Sequence, residues 1–205
     1  STRIHSVLDN TNIGGERLVT ITKWPAWMDS NNDGKLDSDK FANYADWCKQ
    51  LVTICNGSGR YVKYWEPFNK MREADSSIKV GALAAANPWG DSYMDGFLNG
   101  VGSQIDFFSY HHYGSGSTGT GINDLYNSTE GLASRASGVR NKLVSRGLNI
   151  PLFLDEHNMF DTWDKDTAGL MRSSGSAVWD ALFLKHLVEG SDADGLFTWN
   201  DADYT

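Results

Sequence analysis

The stretch Lys63–Gly81, KYWEPFNKMREADSSIKVG, decides how the rest of the chain is read. Lys63-Tyr64-Trp65-Glu66-Pro67-Phe68-Asn69 and Ile78-Lys79-Val80-Gly81-Ala82-Leu83 both have the aromatic and β-branched content of strands. Only Lys70–Ser77 lies between them, and it contains no Asn-Gly or Asp-Gly hairpin turn. In a parallel sheet such a pair needs a crossover of about a dozen residues or more, usually a helix, and Lys70–Ser77 is too short for one. Lys70-Met71-Arg72-Glu73-Ala74-Asp75 reads as the last turns of such a helix.

Working outward, the same alternation recurs. Leu18–Trp24 reads as a strand, followed by a helix capped by Asp37-Ser38 with Phe41, Tyr44, Ala45, Cys48, Leu51 and Val52 at helical spacing. Ile105–Tyr110, Ile150–Leu154 and Gly195–Trp199 are further strands. Helices are expected around Ser92–Leu98, Thr129–Arg146 and Ser176–Val188, with a Gly/Ser loop over Gly114–Gly121. Strands alternating with helices define an α/β protein with a parallel sheet. No Gly-rich phosphate loop opens a helix, which disfavours a nucleotide-binding sheet. Polar residues follow the last apolar residue of strand after strand, as at the C-terminal rim of a (β/α)8 barrel where active sites are built. The expectation is one (β/α)8 catalytic domain over residues 1–205, incomplete as written. On this expectation the first strand, parts of the helices after strands two and four, and the last helix would be absent, with omitted segments near 6–17 and 69–71. A natural but degenerate barrel is the alternative.

Five segments bear a family resemblance. Trp65-Glu66-Pro67-Phe68-Asn69 resembles the fourth-strand signature of clan A glycoside hydrolases, in which the residue after the Asn is the acid/base Glu. Pro151-Leu152-Phe153-Leu154-Asp155-Glu156-His157-Asn158 resembles their seventh strand, whose terminal Glu is the nucleophile. Trp24–Met28, Asp106–Tyr113 and Leu196–Asn200 are similar to the third, sixth and eighth strand ends. β-Xylosidases and α-L-arabinofuranosidases are the nearest relatives this implies.

The resemblance implies a retaining hydrolase acting on a β-linked glycan, with Glu156 as nucleophile. Retention requires two carboxyl groups about 5–5.5 Å apart, and the rims of strands four and seven face each other across a barrel mouth. Asn69 is expected to bond the hydroxyl beside the anomeric carbon. Tyr113 or His112 would orient the nucleophile or pack behind it, Arg3 would hold its carboxylate, and Trp24 and Trp199 would stack on a sugar face or fill core. Asp155, next to Glu156 in a strand, is expected to point away from it. The acid/base is missing: Lys70 stands in its place, and a group with an ordinary pKa near 10.4 is a poor acid for this task. Glu66 is no substitute, being set about 13 Å deeper at roughly 3.3 Å per residue. The second reading is therefore a non-catalytic carbohydrate-binding barrel.

Asp29-Ser30-Asn31-Asn32-Asp33-Gly34-Lys35-Leu36-Asp37 resembles a calcium loop, but its twelfth position is Lys40. A structural calcium on Asp29, Asn31, Asp33 and Asp37 is one reading; a solvated turn leading into a helix is the other. No other cofactor is required. A net charge of −8 leaves no basic stripe for nucleic acid, and no apolar run reaches the roughly 20 residues of a membrane span. Cys48 and Cys55, about 10 Å apart on one straight helix, pair only if that helix ends between them. Neither they nor the sequons at Asn56 and Asn127 fix a compartment; a secreted or extracellular setting is the expectation.

Overall fold

In a computed structural model of the chain, residues 8–9, 16–21, 23–66, 69–86 and 92–196 are described, with backbone alone at 69, 70 and 101. The chain divides into two compact units. One is Ser1–Ala82 with Gln104–Asp106; the other is Leu83–Ser103 with Phe107–Thr205.

The first unit carries β1 (Leu18–Thr20), α1 (Phe41–Gly57), β2 (Tyr64–Glu66) and the start of β3 (Lys79–Ala85). All three strands are parallel, with Val19 beside Trp65 and Trp65 beside Val80. Helix α1 turns Tyr44, Cys48, Val52 and Cys55 inward at spacings of four, four and three, the stripe a helix must bury. They pack with Met28, Trp65, Met71 and Ile78 in the core of this unit. Because the helix runs on to Gly57, both cysteines sit on one helix and both are free.

Between β2 and β3 the described residues form a 3₁₀ turn, Asn69–Glu73, and no α-helix. It is docked on α1 by buried Met71, by a 3.0 Å Lys49–Glu73 ion pair, and near its end by Asn56 Nδ2 donating to Asp75 Oδ2 at 2.8 Å. Asp106 fastens the same edge: its carboxylate takes the Arg72 guanidinium and accepts from Val80 N at 2.8 Å. The start of α1 also differs from expectation. A 3₁₀ turn, Ser38–Lys40, precedes the helix, and Asp37 makes no side-chain cap. Its carboxylate accepts instead from Ser30 N at 3.0 Å.

The second unit holds the two longest strands, β4 (Phe107–Ser115) and β5 (Leu152–Phe160), with β6 (Gly195–Leu196). All three run parallel in chain order. Their helices are α2 (Ser92–Val101), α3 (Ile122–Ser128), α4 (Leu132–Val144) and α5 (Ser174–Gly190). Phe107–Tyr110 and Leu152–Asp155 are buried throughout, the continuous burial of parallel strands covered on both faces. Helix α4 contributes Leu132, Ala136, Val139 and Leu143, and α5 contributes Trp179 and Phe183. Ser173 caps α5 by accepting from Gly175 N at 3.1 Å.

At the starts of β5 and β6, Arg140 donates to Ile150 O at 2.7 Å and to Asp192 O at 2.8 Å, and pairs with Asp194. Asp194 in turn accepts from Leu152 N at 2.7 Å. Arg140→Ala strips several charge-assisted bonds from one half-exposed hub, so a loss of about 2 kcal/mol is expected in urea unfolding.

Candidate active site

The C-terminal halves of β4 and β5 bring four polar side chains together. Tyr113 donates its phenol proton to Glu156 Oε1. Tyr113 Oη also lies 3.3 Å from His111 Nδ1, the two rings meeting edge to face at 5.9 Å. On its other edge, His111 Nε2 is 3.7 Å from Asp155 Oδ1 and 3.8 Å from Glu156 Oε2. The Glu156 side chain keeps 20% of its surface exposed and Asp155 only 3%. Burial draws the His111 imidazole down to about 4.

A strand irregularity builds this cluster. Up to Tyr110, β4 and β5 are in simple register, with Tyr110 beside Leu154; the next pair is His111 with Glu156. The step skips Asp155, so β5 carries one extra residue there, a bulge. In a regular strand Asp155 would face away from its neighbour. The bulge overturns that expectation: both carboxylates reach the same imidazole.

Strand parity sorts the two adjacent histidines. His111 and Tyr113 share a face, and His112 turns to the helices. There His112, 1% exposed, accepts from Arg135 Nη1 through Nδ1 at 3.0 Å and packs on Phe183. His157, its register partner, stacks on Phe183 at 4.3 Å and 8° and on Trp179 at 6.2 Å. Neither His112 Nε2 nor His157 Nδ1 has a hydrogen-bond partner among the described residues. His112 is drawn down to about 3, chiefly by burial and then by Arg135 and His157; burial alone draws His157 to about 4.

Of the other residues singled out in the sequence, Trp24 is half-buried against the core of the first unit, edge-on to Tyr44 at 6.3 Å. Glu66, 2% exposed, accepts from Thr20 Oγ1 at 2.8 Å. Arg3, Trp199 and the side chains of Asn69 and Lys70 lie outside the described residues. The sequence reading gave His111 no role in the cluster and expected Asp155 to turn away from Glu156. Parity with Tyr113 points to His111; no sequence signal marks the bulge that delivers Asp155.

The Asp29–Asp37 loop is closed by its own amides. Asp29 accepts from Asp33 N and Gly34 N, both at 3.1 Å, and Asp33 Oδ1 accepts from Lys35 N at 2.9 Å. Asn32 and Gly34 take positive φ, 55° and 79°, the geometry that Asn and Gly adopt most readily. Among the described residues no three His, Cys, Asp or Glu side chains converge as metal ligands.

The parallel strands and their helices form an α/β fold, and comparison with solved structures finds the same fold in several glycosidases. A glucosidase from Croceicoccus marinus is similar at a TM-score of 0.67 with 19% identity, over 94% of this chain and 43% of that one. A β-glucuronidase from an uncultured Clostridium sp. is similar at 0.55 with 15% identity, over 97% of this chain and 35% of that one. A monomeric β-xylosidase from Caulobacter crescentus is similar at 0.52 with 14% identity, over 79% and 39%. The chain thus spans less than half the length of each. No family model and no curated protein sequence matches it. No described helix is long and apolar enough to cross a membrane.

Proposed function

We propose that this chain carries the nucleophile half of a retaining glycoside hydrolase, with Glu156 attacking the anomeric carbon of a β-linked sugar. The observation that carries the reading is the environment of Glu156. It stands at the polar end of a buried strand, part-exposed, with a phenol hydroxyl on one carboxylate oxygen and an imidazole near the other. The phenol hydroxyl fixes the orientation of the carboxylate for attack. Asn69 at the clan signature position, Arg3, Trp24 and Trp199 are proposed sugar contacts on the strength of the motif resemblance. His112 is proposed as packing behind the site. Carbohydrate is the partner, and a secreted setting belongs to the same reading.

Glycosylation of Glu156 needs an acid only when the leaving group is poor. Aryl β-glycosides with dinitrophenyl leaving groups therefore test the chain without reference to the residue that stands where the acid/base Glu would. Proton NMR of the first-formed sugar distinguishes the outcomes: the β-anomer supports double displacement, and the α-anomer removes it. The non-catalytic carbohydrate-binding reading is favoured by Lys70 after Asn69; saturable sugar binding with no released phenol would establish it.

Tyr113→Phe removes the hydroxyl that bonds Glu156 and lies 3.3 Å from His111 Nδ1, and keeps the ring. A charge-assisted bond of about 1.5–3 kcal/mol is lost, so kcat/KM should drop about 10- to 100-fold with little change in fold stability. An unchanged kcat/KM would remove Tyr113 from the site.

For the Asp29–Asp37 loop we propose that its own hydrogen bonds, not calcium, hold its shape, and that no redox cofactor serves the site. The Tm is then the same in calcium and in chelator; a rise of several degrees with calcium, abolished in Asp33→Ala, would reverse this.

A further inference from the structure

His111 has two carboxylates on one edge and a phenol on the other, and the bulge at Asp155 is what makes this so. Near neutral pH the buried ring is uncharged and holds one proton, so its two nitrogens are not equivalent. With the proton on Nδ1, the Nε2 lone pair would face the Asp155 and Glu156 oxygens across 3.7 and 3.8 Å. With the proton on Nε2, those oxygens meet the positive end of an N–H dipole, and Nδ1 presents a lone pair 3.3 Å from Tyr113 Oη, able to accept once the phenol proton leaves Glu156.

We propose that Asp155 is a positioning residue that holds His111 as the Nε2–H tautomer, so that Nδ1 can take over the Tyr113 hydroxyl when Glu156 becomes an ester. This rests on Glu156 as nucleophile. In the free site the phenol O–H points at Oε1 of Glu156. When Glu156 bonds to the anomeric carbon and the leaving group departs, the carboxylate loses its charge and becomes a weaker acceptor. The phenol O–H then rotates to Nδ1. No proton changes its heavy atom in this exchange, and hydrolysis of the ester restores the first arrangement. Throughout the ester's lifetime the Asp155 carboxyl stays beside Nε2–H, 3.7 Å from Nε2, and this is the part played by a second carboxyl group next to the nucleophile.

The test is the ring ¹⁵N spectrum of the whole ¹⁵N-labelled chain near pH 7, with His111 assigned by comparison with His111→Gln. Wild type should show the Nε2–H form alone. Asp155→Asn, which keeps shape and loses charge, should raise the Nδ1–H form to a comparable population. An Nδ1–H tautomer in wild type would overturn the proposal, whether or not the variant folds. An unchanged tautomer in a folded Asp155→Asn protein would overturn it too. The readout needs no turnover, so it is separate from the fate of the glycosidase reading, which stands or falls on the anomer released.

Discussion

Glu156→Gln should lower the rate on a dinitrophenyl β-glycoside by ~10⁴-fold or more, the scale of losses when a covalent nucleophile is removed. The amide is nearly isosteric and still accepts from Tyr113, so substrate affinity and Tm should be close to wild type. What it lacks is the charge that forms the glycosyl ester. The choice of Gln separates chemistry from folding: a loss of activity with an unchanged melting curve assigns Glu156 to the reaction. A loss below about tenfold would mean that another group attacks.

Acid should unfold this protein unusually early. His112, His157 and His111 are all drawn well below the ordinary imidazole value near 6.5, chiefly by burial. The native state therefore holds them neutral where the unfolded chain takes up protons. Stability linked to these groups is fully present above about pH 6.5 and is lost as pH falls toward 4. Two rings behind the site, buried His112 and part-buried His157, together account for a loss on the order of 5 kcal/mol across that window, a large share of a typical domain's stability. His157→Phe tests the origin. A phenyl ring keeps the stack on Phe183 and Trp179, and the lost Nδ1 had no hydrogen-bond partner among the described residues. The variant should unfold at a pH roughly half a unit to one unit lower, by circular dichroism. An identical acid midpoint would place the sensitivity elsewhere.

The periodic part of the fold was legible because burial writes itself into sequence. Ile150–Leu154 and the apolar start of β4 announce parallel strands, and the stripe on α1 announces its buried face. The polar run after each strand announced the polar C-terminal ends of β4 and β5. Three features were not legible. The bulge at Asp155 follows from the register of β5 on β4, a nonlocal fact, so Asp155 was expected to turn away from Glu156. Helix α3, Ile122–Ser128, begins directly after a Gly/Ser stretch with no side-chain N-cap to mark it. Asp37 looked like a cap for the next helix, but the amide of Ser30 took its carboxylate. The adjacent histidines were readable in principle: Tyr113 and His111 sit two apart on a strand and must share its face.

The most direct test is covalent trapping. The whole chain is incubated with a 2-deoxy-2-fluoro β-glycosyl donor bearing a dinitrophenyl leaving group, digested, and mapped by mass spectrometry. One fluorosugar on the peptide containing Glu156, absent from Glu156→Gln, is the outcome this account requires. A label on a different carboxylate, or an unlabelled protein across glucosyl, xylosyl, glucuronyl and arabinosyl donors, would contradict it.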